Sequence, residues 1–178
     1  MAKRKSTPPP APKTVERKPR AEVAREWHAM AIHRYQTYLK EFEDAKAKFS
    51  ERFSKAVLGQ HGDAVSWTLQ ALCETEAKAS IAAAILQREE ARTPEGLQAL
   101  HDEMVEWAKR EIMRGSFRHS STSQTSNAVA EFTALGLCAY VDDRLWFGRL
   151  DKFLERYALT DVQEVVAAVV LALPGQLA

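Results

Sequence analysis

Glycine and proline are scarce in this chain, seven of each in 178 residues. Five of the prolines (Pro8, Pro9, Pro10, Pro12 and Pro19) stand before residue 20, and only Pro94 and Pro174 follow. A body so poor in breakers is free to run in long helices. Cysteine is scarcer still. Cys73 and Cys138 sit in apolar, helix-like contexts with no CxxC between them. They read as small buried hydrophobes in a reducing, cytoplasmic setting. Long apolar runs are missing as well. The most apolar stretch, Val165 to Leu173, falls well short of the ~20 residues that span a bilayer, so no integral membrane insertion is expected. The basic Met1 end has no apolar core and does not read as a secretory signal.

The motifs of several chemistries are absent too. A di-iron bundle needs Glu-x-x-His. The residues three places before His28, His33, His61, His101 and His119 are Arg25, Met30, Leu58, Gln98 and Ser116. There is no HExxH and no Cys/His cluster at zinc spacing. A Walker A loop, GxGxxG and GxSxG are also missing. The sequence therefore points to no metal, no cofactor and no catalytic residue, and the expected protein is not an enzyme. His101, with Asp102 and Glu103 turned to other faces, reads as a surface histidine. No internal repeat appears, and no motif points to a known family.

What is present is an uneven charge. Up to residue 20 stand seven bases, Lys3, Arg4, Lys5, Lys13, Arg17, Lys18 and Arg20, against Glu16 alone, a net +6. Of 25 bases and 24 acids in the chain, 18 and 23 remain for the body, a net −5. A proline-rich, hydrophobe-poor leader over 1–20 buries too little apolar surface to offset its ordering entropy. It is expected to be disordered, with polyproline character around Pro8 to Pro12. Its cations suit phosphates of nucleic acid or an anionic surface. The plainer alternatives are a solubilising leader, or one that folds back on the acidic body.

The body, 21–178, with 46% apolar and 28% charged residues over the whole chain, suits one globular domain. Its hydrophobes recur at threes and fours, the signature of helix faces, and no alternation of period two is long enough for a strand. The fold class is all-α: a bundle of about six helices, with a long N-terminal α-hairpin over 21–92 and shorter helices over 94–173. Helix one spans about 21–58 on Val23, Trp27, Ala31, Tyr35, Tyr38, Phe42, Ala45, Phe49, Phe53 and Val57, with Arg34, Glu41, Glu43 and Asp44 on a solvated face. Its apolar stripe drifts, which favours packing on a globular body over a sustained coiled coil; a homodimer remains open. Helix two spans about 64–91, and its alanines allow a neighbour to approach closely. Thr93 caps helix three and Pro94 opens it, to about Arg114. Helix four (about 128–141) is capped by Ser126 or Asn127. Helix five starts from Asp142 or Asp143 and carries Leu145, Trp146, Phe147, Leu150 and Leu154. Helix six opens with a Thr160/Gln163 capping box.

The most unusual segment is Arg110 to Asn127. Arg114, Arg118, His119, Ser120 and Ser121 lead toward a helix start, a combination that suits an anion; the alternative is a solvated loop after a basic helix end. A helix-turn-helix reader is not expected, since helix six carries no base over 161–173. The preferred function is a non-enzymatic accessory or regulatory protein whose leader contacts nucleic acid while the body holds a protein partner. The alternatives are an adaptor or inhibitor acting through helix one, with Glu41, Glu43 and Asp44 on its polar face, and an amphipathic protein of membrane or granule surfaces.

Overall fold

The computed structural model describes residues 16–57, 64–114, 124–143 and 148–163. Among them are five α-helices: α1 (Arg20–Val57), α2 (Ala64–Leu86), α3 (Pro94–Arg114), α4 (Gln124–Asp142) and α5 (Leu150–Tyr157). A 3-10 turn, Glu89–Arg92, joins α2 to α3. The fold is all-α, as the periodicity requires; sheet-type pairing among the described residues is confined to one bridge.

α1 has 38 residues and so runs ~57 Å. It packs most extensively on α2, its hairpin partner, and α2 packs in turn on α4. α3 lies against α4, and α5 covers part of α1. The core is one cluster fed by all five helices. Val23, Trp27, Ala31 and Tyr35 of α1 have no exposed surface, and Tyr38 almost none. Rings of this size bury roughly 150–250 Å² each. At ~25 cal/mol per Å² that is about 4–6 kcal/mol per ring before ordering entropy is set against it.

The α2–α4 contact depends on small residues. Ala77 of α2 is buried, and Gly136 of α4 faces it and Glu74. A Cβ at Gly136 would stand 2.5 Å from the Glu74 carbonyl oxygen and 3.0 Å from the Ala77 Cβ. Only a residue without a side chain lets the two backbones come so close.

Several boundaries differ from the sequence reading. The ordered body begins before Ala21. Lys18 N–H donates to the Tyr157 carbonyl (3.0 Å) and Leu159 N–H donates to the Lys18 carbonyl (2.7 Å), fastening the chain's entry to the end of α5. α2 ends at Leu86, not near residue 91. Arg88 is extended, and the 3-10 turn that follows buries Ala91. His28 Nε2 lies 2.7 Å from the Ala91 carbonyl oxygen, which ties this turn to α1. α4 starts at Gln124, four residues early, because Ser, Thr and Asn are costly in a helix interior but tolerated in a first turn. α5 starts at Leu150, seven residues after Asp143. Its carboxylate is taken by Arg34 and Tyr38, and Gly148 holds a left-handed φ of 52° before Arg149 extends into the helix. The expected Leu145, Trp146 and Phe147 lie outside the described residues. Elsewhere the local signals hold: Gly96 N–H donates to the Thr93 hydroxyl (3.1 Å) at the start of α3, and Thr160 N–H donates to the Gln163 side chain (3.3 Å). Helix six is described only over 161–163.

Gly136→Ala is expected to overpack the α2–α4 seam at a cost of about 1–3 kcal/mol, which lowers Tm by several degrees in a chain of this size. A thermal melt followed by circular dichroism checks this. An unchanged Tm means the seam has more room than the backbone geometry indicates.

Candidate functional site

The densest chemistry lies where α1, α3, α4 and the start of α5 converge. His101, on α3, falls at the fourth place after Leu97 and the third before Met104, within the apolar stripe of that helix. Both phenols that face it meet the same ring nitrogen: Tyr35 Oη lies 2.9 Å and Tyr140 Oη 3.2 Å from Nδ1. His101 is therefore a clasp between three helices, not the surface histidine expected from the sequence. Burial holds its pKa below the ordinary histidine value, against the opposing pull of the Asp102 and Asp143 carboxylates. Burial also raises Tyr35, Tyr38 and Tyr140, so all three stay protonated.

Beside this clasp Asp143 accepts from Arg34 through Nε (3.0 Å) and Nη2 (2.7 Å), and from the Tyr38 hydroxyl. The Arg34 and Asp143 side chains are only 13% and 12% exposed, so α1 and α4 share a largely desolvated ion pair. Arg34 also lies over the Tyr38 ring, 4.5 Å from its centroid. The expected solvated face of α1 is thus partly an internal one. Glu41, offered as a partner contact, instead bridges Arg34 (3.7 Å) and Lys78 of α2 (3.5 Å). Glu43 pairs with Lys46 on its own helix (3.0 Å).

A basin of about 530 Å³ opens above the clasp. Its lining includes His101, Asp102, Lys109, Asp143 and Arg149. Asp102, expected on another face, shares this basin with His101, whereas Glu103 does turn away to Arg88 (3.1 Å). The basin is self-neutralised. Arg149 meets Asp102 (3.2 Å), Lys109 meets Glu106 (2.7 Å) and Asp143 meets Arg34. Gln98 links the set, donating to Asp102 (2.9 Å) and accepting the Leu150 N–H (2.8 Å). Among the described residues no buried side-chain polar atom lacks a partner. Nor do three His, Cys, Asp or Glu side chains gather as a metal site. Among the described residues these contacts tie the helices to one another.

A different feature is a groove of about 500 Å³ between α2, α3 and α4. Ala77, Ile81 and Leu137 form its floor, Met104, Trp107 and Thr133 stand along it, and Cys73 lies at one end. Its ionisable carboxylates are Glu76 and Glu111, and among the described residues no lysine or arginine lines it. Burial raises the Cys73 thiol, and the Glu76 and Glu74 carboxylates add to the rise. At the far end of the hairpin Phe53, Val57 and Trp67 are 52%, 70% and 77% exposed.

Of the leader bases, Lys18 is spoken for. Its ammonium pairs with Glu22 (3.3 Å) and Glu26, so at this one residue the leader does fold back on the body. Arg17 is exposed, and Arg20 opens α1. Lys3, Arg4, Lys5 and Lys13 lie outside the described residues, as do Arg118, His119, Ser120 and Ser121 of the proposed anion loop. Arg114 is described, and pairs with Glu111 (3.0 Å). No helix among the described residues is long and apolar enough to cross a membrane. No family model, curated protein or solved structure matches the chain.

Two outcomes follow for the clasp. A base whose folded-state pKa is depressed takes up its proton first in the unfolded chain, so stability falls as pH drops below about 6.5 and rises with pH through that window. Urea unfolding across this range is expected to show that slope, and His101→Gln is expected to flatten it; an equal slope in the variant contradicts the assignment. Asp143→Ala strands Arg34 and is expected to cost about 3–5 kcal/mol, read from the same urea curves.

Proposed function

We propose that this chain is a non-enzymatic accessory protein whose cationic leader contacts nucleic acid while its helical body organises the assembly. The observation that carries the reading is the division of charge: a leader at +6 before a body at −5. Like-signed crowding at one end of a chain supplies a sequence-independent attraction to a polyphosphate, and the acidic body keeps the same polymer off the rest of the surface. The fastening at Lys18 supports the reading in a specific way. It fixes the root of the leader between the start of α1 and the end of α5, and occupies Lys18 with Glu22 and Glu26. Five bases then precede the root: Lys3, Arg4, Lys5, Lys13 and Arg17.

A second reading is an adaptor that receives a protein partner on apolar surface. The half-exposed Trp107, 39% accessible, beside a mainly apolar groove favours it, since tryptophan is enriched among the residues that dominate binding energy.

The first reading is tested by salt titration of binding to a random-sequence DNA duplex. With up to five phosphates neutralised, the slope of log K against log salt is expected near −4.5 or shallower, at about −0.9 per phosphate. A chain beginning at Glu16 retains the Lys18 fastening and loses four of the bases, so its affinity is expected to collapse. Equal binding by the two chains, or binding by neither, contradicts the role assigned to the leader.

A further inference from the structure

We propose that the groove between α2, α3 and α4 receives the end of α1 from a second copy of this chain. The two surfaces are complementary in kind, an amphipathic helix end and an apolar groove, and in charge, and among the described residues neither is covered.

The exposed end of α1 has a geometric origin. Residues four apart on a helix are offset by about 40°, so the apolar steps from Phe49 to Phe53 to Val57 rotate progressively out of the hairpin seam. Phe49 is half-buried and stacks on Phe53 at 5.8 Å, Phe53 is 52% exposed and Val57 70%. Lys48, Arg52 and Lys55 fall together on one flank of this emerging stripe. Over 46–57 there are four bases and the single acid Glu51, a net +3. Lys55 is paired with Glu51, whereas Lys48 and Arg52 form no ion pair among the described residues. The segment is thus an amphipathic helix end with aromatic and aliphatic anchors and a cationic flank.

The groove presents the opposite surface. Its walls are apolar, Trp107 stands half-exposed along it, and the acids at its rim meet no lysine or arginine among the lining residues. Glu111 is balanced by Arg114. Glu76 is exposed and forms no ion pair among the described residues. A helix laid into such a groove buries its i, i+4 and i+8 side chains and sets its flanking charges against the rim. The cationic flank of α1 is the matching occupant. The chain's own apolar segment over 164–173 is not, because it brings an acid, Glu164, and no base. Self-association would also place two leaders on one nucleic acid and raise its apparent affinity through effective concentration.

The test is the mass of the full chain in solution, by light scattering and sedimentation equilibrium up to about 100 μM, a range that detects dissociation constants in the micromolar class. Association is expected, weakening with salt. Phe53→Ser with Val57→Ser removes the tip, and Trp107→Ser damages the groove. These sites are exposed or half-exposed, so circular dichroism is expected to show an unchanged fold. Each variant is expected to weaken association by at least about tenfold, or 1.4 kcal/mol. Mixing the two restores association above that of either alone, because one brings an intact groove and the other an intact tip. Glu76→Lys is expected to weaken association, and Lys48→Glu with Arg52→Glu in the same chain to recover part of it. A single-copy mass at every concentration overturns the proposal and leaves the groove to a different protein, which is the adaptor reading. Association that survives both variants, or a mixture that stays monomeric, overturns it as well. None of these outcomes bears on the leader, whose role is read from DNA binding alone.

Discussion

The burial of one aromatic stripe on α1 is the constraint on which the remaining helices depend. Trp27, Tyr35 and Tyr38 lie on one face of a single helix and are fully or almost fully buried. Two of the three carry hydroxyl groups that must be satisfied out of water. Tyr35 finds His101 on α3, and Tyr38 finds Asp143 at the end of α4. Asp143 in turn requires Arg34, one turn before Tyr38 on α1. Trp27 sends its indole N–H to the Gly148 carbonyl (3.3 Å), just before α5. Each polar edge of the stripe thus specifies where another helix must stand. Apolar burial supplies the drive, and these few directional contacts select one arrangement from the many that would bury the same area.

Much of this was legible in the sequence, for reasons that can be stated residue by residue. α3 starts and ends where Thr93, Pro94 and Arg114 place it, because capping chemistry is local. α1 follows the recurrence of its hydrophobes to within one residue at each end. The errors share a different origin. Arg34 and Glu41 look solvated on a helical wheel; the arrival of Asp143 brings Arg34 inside, and Lys78 of α2 engages the still part-exposed Glu41. Asp143 has N-cap chemistry, but the described contacts of its carboxylate are tertiary ones, with Arg34 and Tyr38. The early end of α2 was unreadable for the same reason, since Ala91 is held by His28 from a distant turn of α1. One signal was available and passed over: His101 stands in the same stripe as Leu97, Met104 and Ala108. A histidine in an apolar stripe is a buried polar group that needs partners.

The surface tells a complementary story. The ionisable groups of the basin beside His101 are paired with one another among the described residues, acid against base. Bases are concentrated in the leader and on the last turns of α1, while Glu76 and Glu111 line the apolar groove between α2, α3 and α4. The drift of the α1 stripe joins the two halves: the first turns build the core, and the last turns carry the same apolar periodicity out to the surface.

That gradient along one helix can be measured directly by native-state amide exchange across α1. In protein dilute enough to be single-copy, amides between Trp27 and Tyr38 are expected to exchange only through global unfolding, tracking the full stability of the domain as urea is added, while those between Phe49 and Val57 exchange through local opening that urea barely affects. Uniform protection along α1, or protection that is strongest toward Val57, would show that the stripe around Trp27 and Tyr38 is not what the fold is built on.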